Sequence, residues 1–273
     1  LLPELLTFPT SRPLPREADE WDSIREEAVE DLRQNVFGWL DRNPEVATFE
    51  HRCHDRHRGE IGGMEVWLEV PDFDSTPPSL ILSVYNADQT ISEVSGKMAS
   101  AFPENSIAHL EPRATGLNAA PVDHPGKDLQ RVGALMGLTL PLLWMNDLRH
   151  AIRYLRGRRG CADVPLYLCG EGEAGVACLY HGILNEGIAG VIMVDPPDSH
   201  REGGHLPGIL REGDITSTVG LMAPRPVGVV SPKPGAQWHL LRWGHRVYHR
   251  LGIPRKHALG QTVEEVRDAV LES

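Results

Sequence analysis

Apolar residues recur along this chain in two rhythms, and the two rhythms alternate. Uninterrupted apolar runs, SLILSVY at 79–85, SIAHL at 106–110, LYLC at 166–169, IAGVIMV at 188–194 and PVGVV at 226–230, have the length and continuity of buried strands. Between them, residues 91–102, 129–155, 176–184 and 238–251 carry apolar positions at helical spacing, with Pro141 expected to kink or interrupt the second of these. Upstream, Trp21, Ile24, Ala28, Leu32 and Val36 mark a helix ending near Gly38, with Asp19 and Glu20 placed to suit its dipole. Residues 48–70 read as a β-hairpin with Gly62 and Gly63 at its turn or bulge. Residues 256–259 read as a last short strand, and 262–271 as an amphipathic closing helix capped by Thr262.

Strands that alternate with helices predict the α/β class, with a mostly parallel sheet and helices on both faces. The expected organisation is an extended, Pro-rich arm over 1–18 and a single domain over 19–273, its sheet preceded by the N-terminal helix and hairpin. The stretch 165–195 is the centre of the pattern: strand, the turn Gly170-Glu171-Gly172-Glu173-Ala174-Gly175, helix, and a second strand closing at Asp195. Such a βαβ unit has a right-handed crossover, and ligands bind at the carboxyl ends of its strands, where the turn and Asp195 both fall.

Two chemistries use a turn of this kind. Gly170, Gly172 and Gly175 match the dinucleotide fingerprint G-x-G-x-x-G, and Asp195 lies at the spacing of its ribose-binding acid. The same turn read as a nucleophile elbow, G-x-S-x-G, places Gly172 where the Ser belongs and Ala174 at the second glycine. Position in the chain separates the two. A dinucleotide unit puts its glycine turn after the first strand, whereas here two strand–helix pairs come first.

A net charge of −11 excludes non-specific nucleic-acid binding, and no apolar run is long enough to span a membrane. The start, LLPELLTFP, lacks the basic region and cleavage site of a signal peptide, and its missing Met is what a processed or excised piece would show. Cys53, Cys161, Cys169 and Cys178 follow no metal or redox spacing, so the compartment stays open. No cofactor is expected.

Taken in order, the helix from Trp21 to Gly38, the strand SLILSVY, the turn Glu111-Pro112-Arg113-Ala114-Thr115-Gly116, Asp147, GEGEAG, VIMVDPP and Ala223-Pro224-Arg225-Pro226 resemble the α/β-hydrolase superfamily. The likeness is nearest the acetyl xylan esterase and dienelactone-hydrolase-like branch and its divergent bacterial members, and it covers nearly the whole chain. It implies the α/β-hydrolase fold and hydrolysis of carboxylic esters, often acetyl groups on plant polysaccharides, by a Ser, a His and an acid. Here Gly172 stands at the nucleophile. The loop Ser231-Pro232-Lys233-Pro234-Gly235 has no carboxylate, and only His257 lies near the base position, with Asp195 a displaced acid. An oxyanion hole needs only backbone N–H groups, with those of Asn86 and Glu173 as candidates.

The reading that follows is an esterase-like domain with degenerate chemistry, bound to a small ester or carbohydrate or partnering an active esterase module of a longer chain. Its alternatives are an active ester hydrolase with an unconventional catalytic set, and a dinucleotide-binding protein. Glu171 and Glu173 would serve the former as an acid/base pair, but carboxylates at a helix N-terminus are expected in any protein. Arg113, Ser199, His200 and His205 are pocket candidates. His51, Cys53 and His57, with Asp55, are zinc-type ligands on one face of a strand, but Arg52, Arg56 and Arg58 oppose a cation. A charged edge strand is the preferred reading there, and no metal is expected.

Overall fold

The computed structural model describes residues 13–42, 48–53, 55–61, 64–71, 76–87, 89–116, 137–231 and 238–272. Nine strands, β1 (Glu50–Cys53), β2 (Arg56–Ile61), β3 (Met64–Glu69), β4 (Leu80–Val84), β5 (Ser106–Glu111), β6 (Leu166–Glu171), β7 (Gly190–Val194), β8 (Val227–Val230) and β9 (His257–Gly260), form one sheet. Their order is β1-β2-β3-β5-β4-β6-β7-β8-β9. The first three run antiparallel and join β5 antiparallel, and every other neighbour is parallel.

The helices are α1 (Trp21–Leu32), α2 (Gly38–Arg42), α3 (Ile91–Ala101), α4 (Leu140–Arg156), α5 (Gly172–Leu184), α6 (Ile209–Glu212), α7 (Ile215–Thr218), α8 (Trp238–Arg250) and α9 (Val263–Leu271). Successive side chains of a strand point to opposite faces of the sheet, and here both faces are apolar. Leu80, Leu82, Leu166, Leu168, Val191 and Met193 enter the larger core with Trp21, Leu148, Val176, Leu179 and Val247. Ile81, Tyr167, Cys169 and Ile192 enter the smaller one, closed by Val94 and Met98 of α3 and Val266 and Val270 of α9. Each fully buried side chain of this size contributes about 1.5–3 kcal/mol.

Several expectations change. The hairpin over 48–70 is a three-stranded meander, broken between Cys53 and Arg56, so His51 faces His57 across two strands. His57 is buried and its Nδ1 lies 2.9 Å from the Tyr154 hydroxyl, which ties it into the fold and not to a solvated edge. Pro141 does not kink α4 but stands in its first turn, where an N–H has no intrahelical acceptor to lose. The upstream part of that expected helix, 129–136, lies outside the described residues. Past α1 the chain continues through a π-helical turn, Arg33–Phe37, and the irregular stretch after Asp195 contains α6 and leads into α7. Of the arm, residues 1–12 lie outside the description, while Leu14 packs against the larger core.

Candidate functional site

The elbow forms where β6 turns into α5. Glu171 caps the helix in an extended conformation, and Gly172 follows with φ of 57°. That left-handed backbone suits glycine, because a Cβ there crowds the following carbonyl. The space beside Gly172 is also filled, since a Cβ on it would lie 2.8 Å from Nδ2 of Asn86. Gly170 and Gly175 serve a different purpose. A Cβ on Gly170 would come within 2.7 Å of the Ala174 carbonyl carbon, and one on Gly175 within 2.7 Å of the Gly170 oxygen. Their missing side chains let α5 rise directly off the strand.

The loop after β4 is strapped to this turn. Asn86 donates its backbone N–H to Oε1 of Gln89 at 2.8 Å, and Gln89 Nε2 donates to Oε2 of Glu171. The Asn86 N–H, read as an oxyanion donor, is therefore engaged within the loop. That of Glu173 stands in the first turn of α5, where donors lack intrahelical acceptors. The Glu173 carboxylate accepts from Gly204 N at 2.9 Å, anchoring the loop that follows β7. Glu171 and Glu173 thus hold two different loops. A small cavity, about 70 Å³, adjoins Gln89, Glu171 and Lys97.

The sheet does not bring the expected base here. His257 opens β9 opposite Val227, at the amino ends of the parallel strands, whereas the elbow is at the carboxyl ends. Gly260, at the elbow edge, lies three residues further, roughly 10 Å along the strand. His257 is buried against Tyr248, with ring centroids 5.2 Å apart, and burial lowers its pKa to about 4. The connection from β9 to α9, Gln261 and Thr262, holds no His. Asp195 does reach the carboxyl edge. It is exposed, has φ of 43°, and donates its N–H to the Val230 carbonyl at 2.8 Å. Beyond Ser231, the loop 232–237 lies outside the described residues.

Ser199, His200 and His205 gather in the loop after β7, but around a buried network. Ser199 Oγ donates to Asp214 Oδ2 at 2.6 Å, and His200 N donates to Oδ1 at 2.9 Å. His200 Nδ1 lies 2.7 Å from the Gly204 carbonyl, so it carries the proton. Its Nε2 then accepts from the Tyr180 hydroxyl at 2.7 Å, which in turn lies 3.0 Å from Thr218 Oγ1. Burial holds the His200 pKa near 4, and with both nitrogens engaged the ring is a neutral structural link. His205 donates from Nδ1 to the His200 carbonyl at 2.8 Å. His200 and His205 border an open groove of about 740 Å³ that also includes Asn35 and Arg211.

Arg113 is placed by the turn after β5, where Ala114 has φ of 61° and Gly116 φ of 50°. Its backbone N–H and guanidinium both donate to Asp147 of α4, at 3.0 Å from N and from Nε, and the two side chains are fully buried. Burial raises the Asp147 pKa, while the guanidinium opposes the rise. The pair joins the β5 turn to α4, and Trp144 Nε1 adds a bond to the Arg113 carbonyl at 2.9 Å.

Sequence reasoning missed the Asn86 side chain, Gln89, Tyr180, Asp214 and Thr218. Asp214 had a readable signal, being the N-cap of α7 in a box with Ser217. The others act across elements and leave no local pattern.

No protein-family model matches the chain, and no curated protein matches it. Solved structures do. One, a protein from Bacteroides fragilis provisionally assigned as an acetyl xylan esterase, superposes with a TM-score of 0.70 at 9% identity, over 94% of this chain and 79% of that one. A glucuronoyl esterase from Solibacter usitatus gives 0.63 at 14% identity, covering 97% of this chain and 96% of that one. A CE15 glucuronoyl esterase from Caldicellulosiruptor kristjansonii gives 0.60 at 14% identity, over 97% and 89%. At these identities the likeness is one of fold, and the fold is that of the α/β-hydrolase-type esterases.

Proposed function

We propose that this chain is a non-catalytic, esterase-like α/β-hydrolase domain, retained to bind a carbohydrate or to partner an active carbohydrate-esterase module. One observation carries the reading. The elbow residue that would bear a nucleophile is Gly172, and the Asn86 amide fills the place of its missing side chain. The base candidate, His257, supports it from the far edge of the sheet. Neighbours named as acetyl xylan and glucuronoyl esterases suggest the ligand class.

The test joins labelling to repair. A Ser-directed phosphonate should leave the protein unlabelled. Gly172→Ser should fold at a cost of about 1–3 kcal/mol of backbone strain and still turn over p-nitrophenyl acetate only at background. Activity needs a base oriented by an acid as well as the hydroxyl. A saturable rate that rises by orders of magnitude would mean that base and acid persist and only the nucleophile is gone. Labelling at Ser199 would favour an active hydrolase instead. The bond from Ser199 to Asp214 is the observation for that reading, but both nitrogens of the adjacent His200 are engaged elsewhere. The dinucleotide reading predicts NAD or NADP binding that Asp195→Ala abolishes. The Glu171 and Glu173 carboxylates at the glycine turn and its mid-chain place oppose a pyrophosphate, so calorimetry should detect no micromolar binding.

A further inference from the structure

Between Asp214 and Glu264 the sequence has no Asp or Glu but seven Lys and Arg, in a chain whose net charge is −11. Much of that positive charge falls on α8. Trp243, Val247 and Tyr248 turn inward, with the Trp243 ring 6.0 Å from Trp21. The outward face carries Arg242, His245, Arg246, His249 and Arg250, all exposed. Arg242, Arg246 and Arg250 are spaced i, i+4, i+8, which sets three guanidinium groups in a row about 6 Å apart along the axis. None of the three forms an ion pair among the described residues. The helix dipole accounts for His249 and Arg250 in the last turn, but not for Arg242 and Arg246. The helix connects the parallel strands β8 and β9, so it starts on the elbow side of the sheet and leads away from it.

We propose that this stripe binds a linear polycarboxylate, an acidic polysaccharide built of uronate residues. Guanidinium forks match carboxylates in pairs, and an extended polyuronate offers carboxylates in a row. Other polyanions fit less well. Among the described residues of the stripe the exposed rings are the imidazoles of His245 and His249, packed edge to face with centroids 4.6 Å apart, and no Trp, Tyr or Phe is exposed there as a platform for nucleobases. Among the described residues the stripe also exposes no apolar side chain to enter a membrane or to anchor a protein partner. The choice of a polysaccharide rests on the carbohydrate-directed reading above; the stripe itself does not.

The test measures binding of the full chain to polygalacturonate by interferometry, beside neutral xylan, duplex DNA and anionic phospholipid vesicles. Polygalacturonate should bind and xylan should not, with affinity falling roughly tenfold between about 50 and 200 mM salt. Arg242→Glu/Arg246→Glu should weaken binding tenfold or more, and Arg242→Gln/Arg246→Gln by less. Arg153→Glu/Arg159→Glu, away from α8, should leave it unchanged, and circular dichroism should show all three variants folded. The proposal is overturned by absent binding at low salt, by binding that ignores the α8 charges, or by DNA or vesicles binding as tightly. It is also overturned if the protein alone forms a salt-sensitive dimer that the α8 reversal dissolves, for then a second copy is the occupant. Because polymer binding is read without ester turnover, a Gly172→Ser variant that gained activity would sink the non-catalytic reading and leave this one standing.

Discussion

At the scale of single residues, two positions show opposite solutions to crowding. Gly172 keeps a left-handed turn open by having no side chain, and the Asn86 amide moves into the space. Arg113 and Asp147 bring full charges into the interior and satisfy them against each other. Desolvating such a pair costs several kcal/mol per ion, so its value lies in being complete: losing one partner strands the other charge. Asp147→Ala should therefore destabilise the fold by about 3–5 kcal/mol, read as a lower urea midpoint at unchanged slope. Arg113→Lys should recover only part of the loss, because an ammonium cannot reproduce the forked contact. Wild-type stability in either variant would mean the pair is hydrated and not structural.

At the scale of elements, the close approach of β6 and α5 depends on Gly170 and Gly175. Each meets backbone atoms and not the tip of a flexible side chain, so a methyl group cannot be accommodated by a rotamer change. Gly175→Ala should cost about 1–3 kcal/mol or more by pushing α5 off the strand, with a fall in melting temperature as the readout. Gly96→Ala on α3, where a Cβ meets nothing, is the control and should stabilise slightly. The same elements show what was legible. Continuous apolar runs revealed the parallel strands because both faces are buried, and Thr262 at its cap revealed α9. The break between β1 and β2 was not legible, since no Gly or Pro marks it. The placement of His257 was legible: near the start of a parallel strand it falls at the amino end, whereas the elbow lies at the carboxyl ends. The Tyr180–His200–Gly204 chain was hidden for another reason: its partners come from separate segments that only folding brings together.

At the scale of the whole molecule, buried histidines, two of them candidates for chemistry, set the acid limit of stability. His181, His200 and His257 sit in different parts of the fold, and burial lowers the pKa of each to about 4. In the unfolded chain the same rings titrate near 6.5, so between these values the unfolded state binds more protons than the folded one. Their contribution is fully present above about pH 6.5 and is lost as pH falls toward 4. A shift of this size is worth about 3 kcal/mol per ring, so together they approach the whole stability of an ordinary domain. His150 is likewise lowered to about 4, by burial and by Arg149, Arg153 and Arg113, while Asp147, raised by burial against the opposing pull of Arg113, acts in the other direction. His257 is the clearest case: its Nε2 is buried with no hydrogen-bond partner among the described residues, and a proton there would be stranded. Urea titrations at intervals from pH 7.5 to 4 should show a steep fall in unfolding free energy below about pH 6.5. His257→Leu should flatten that slope measurably, as one of several buried rings, while Arg242→Gln, on the exposed stripe, should not alter it. A profile that stays level down to pH 5 would mean that these rings are already solvated, and that the core around them is looser than its packing implies.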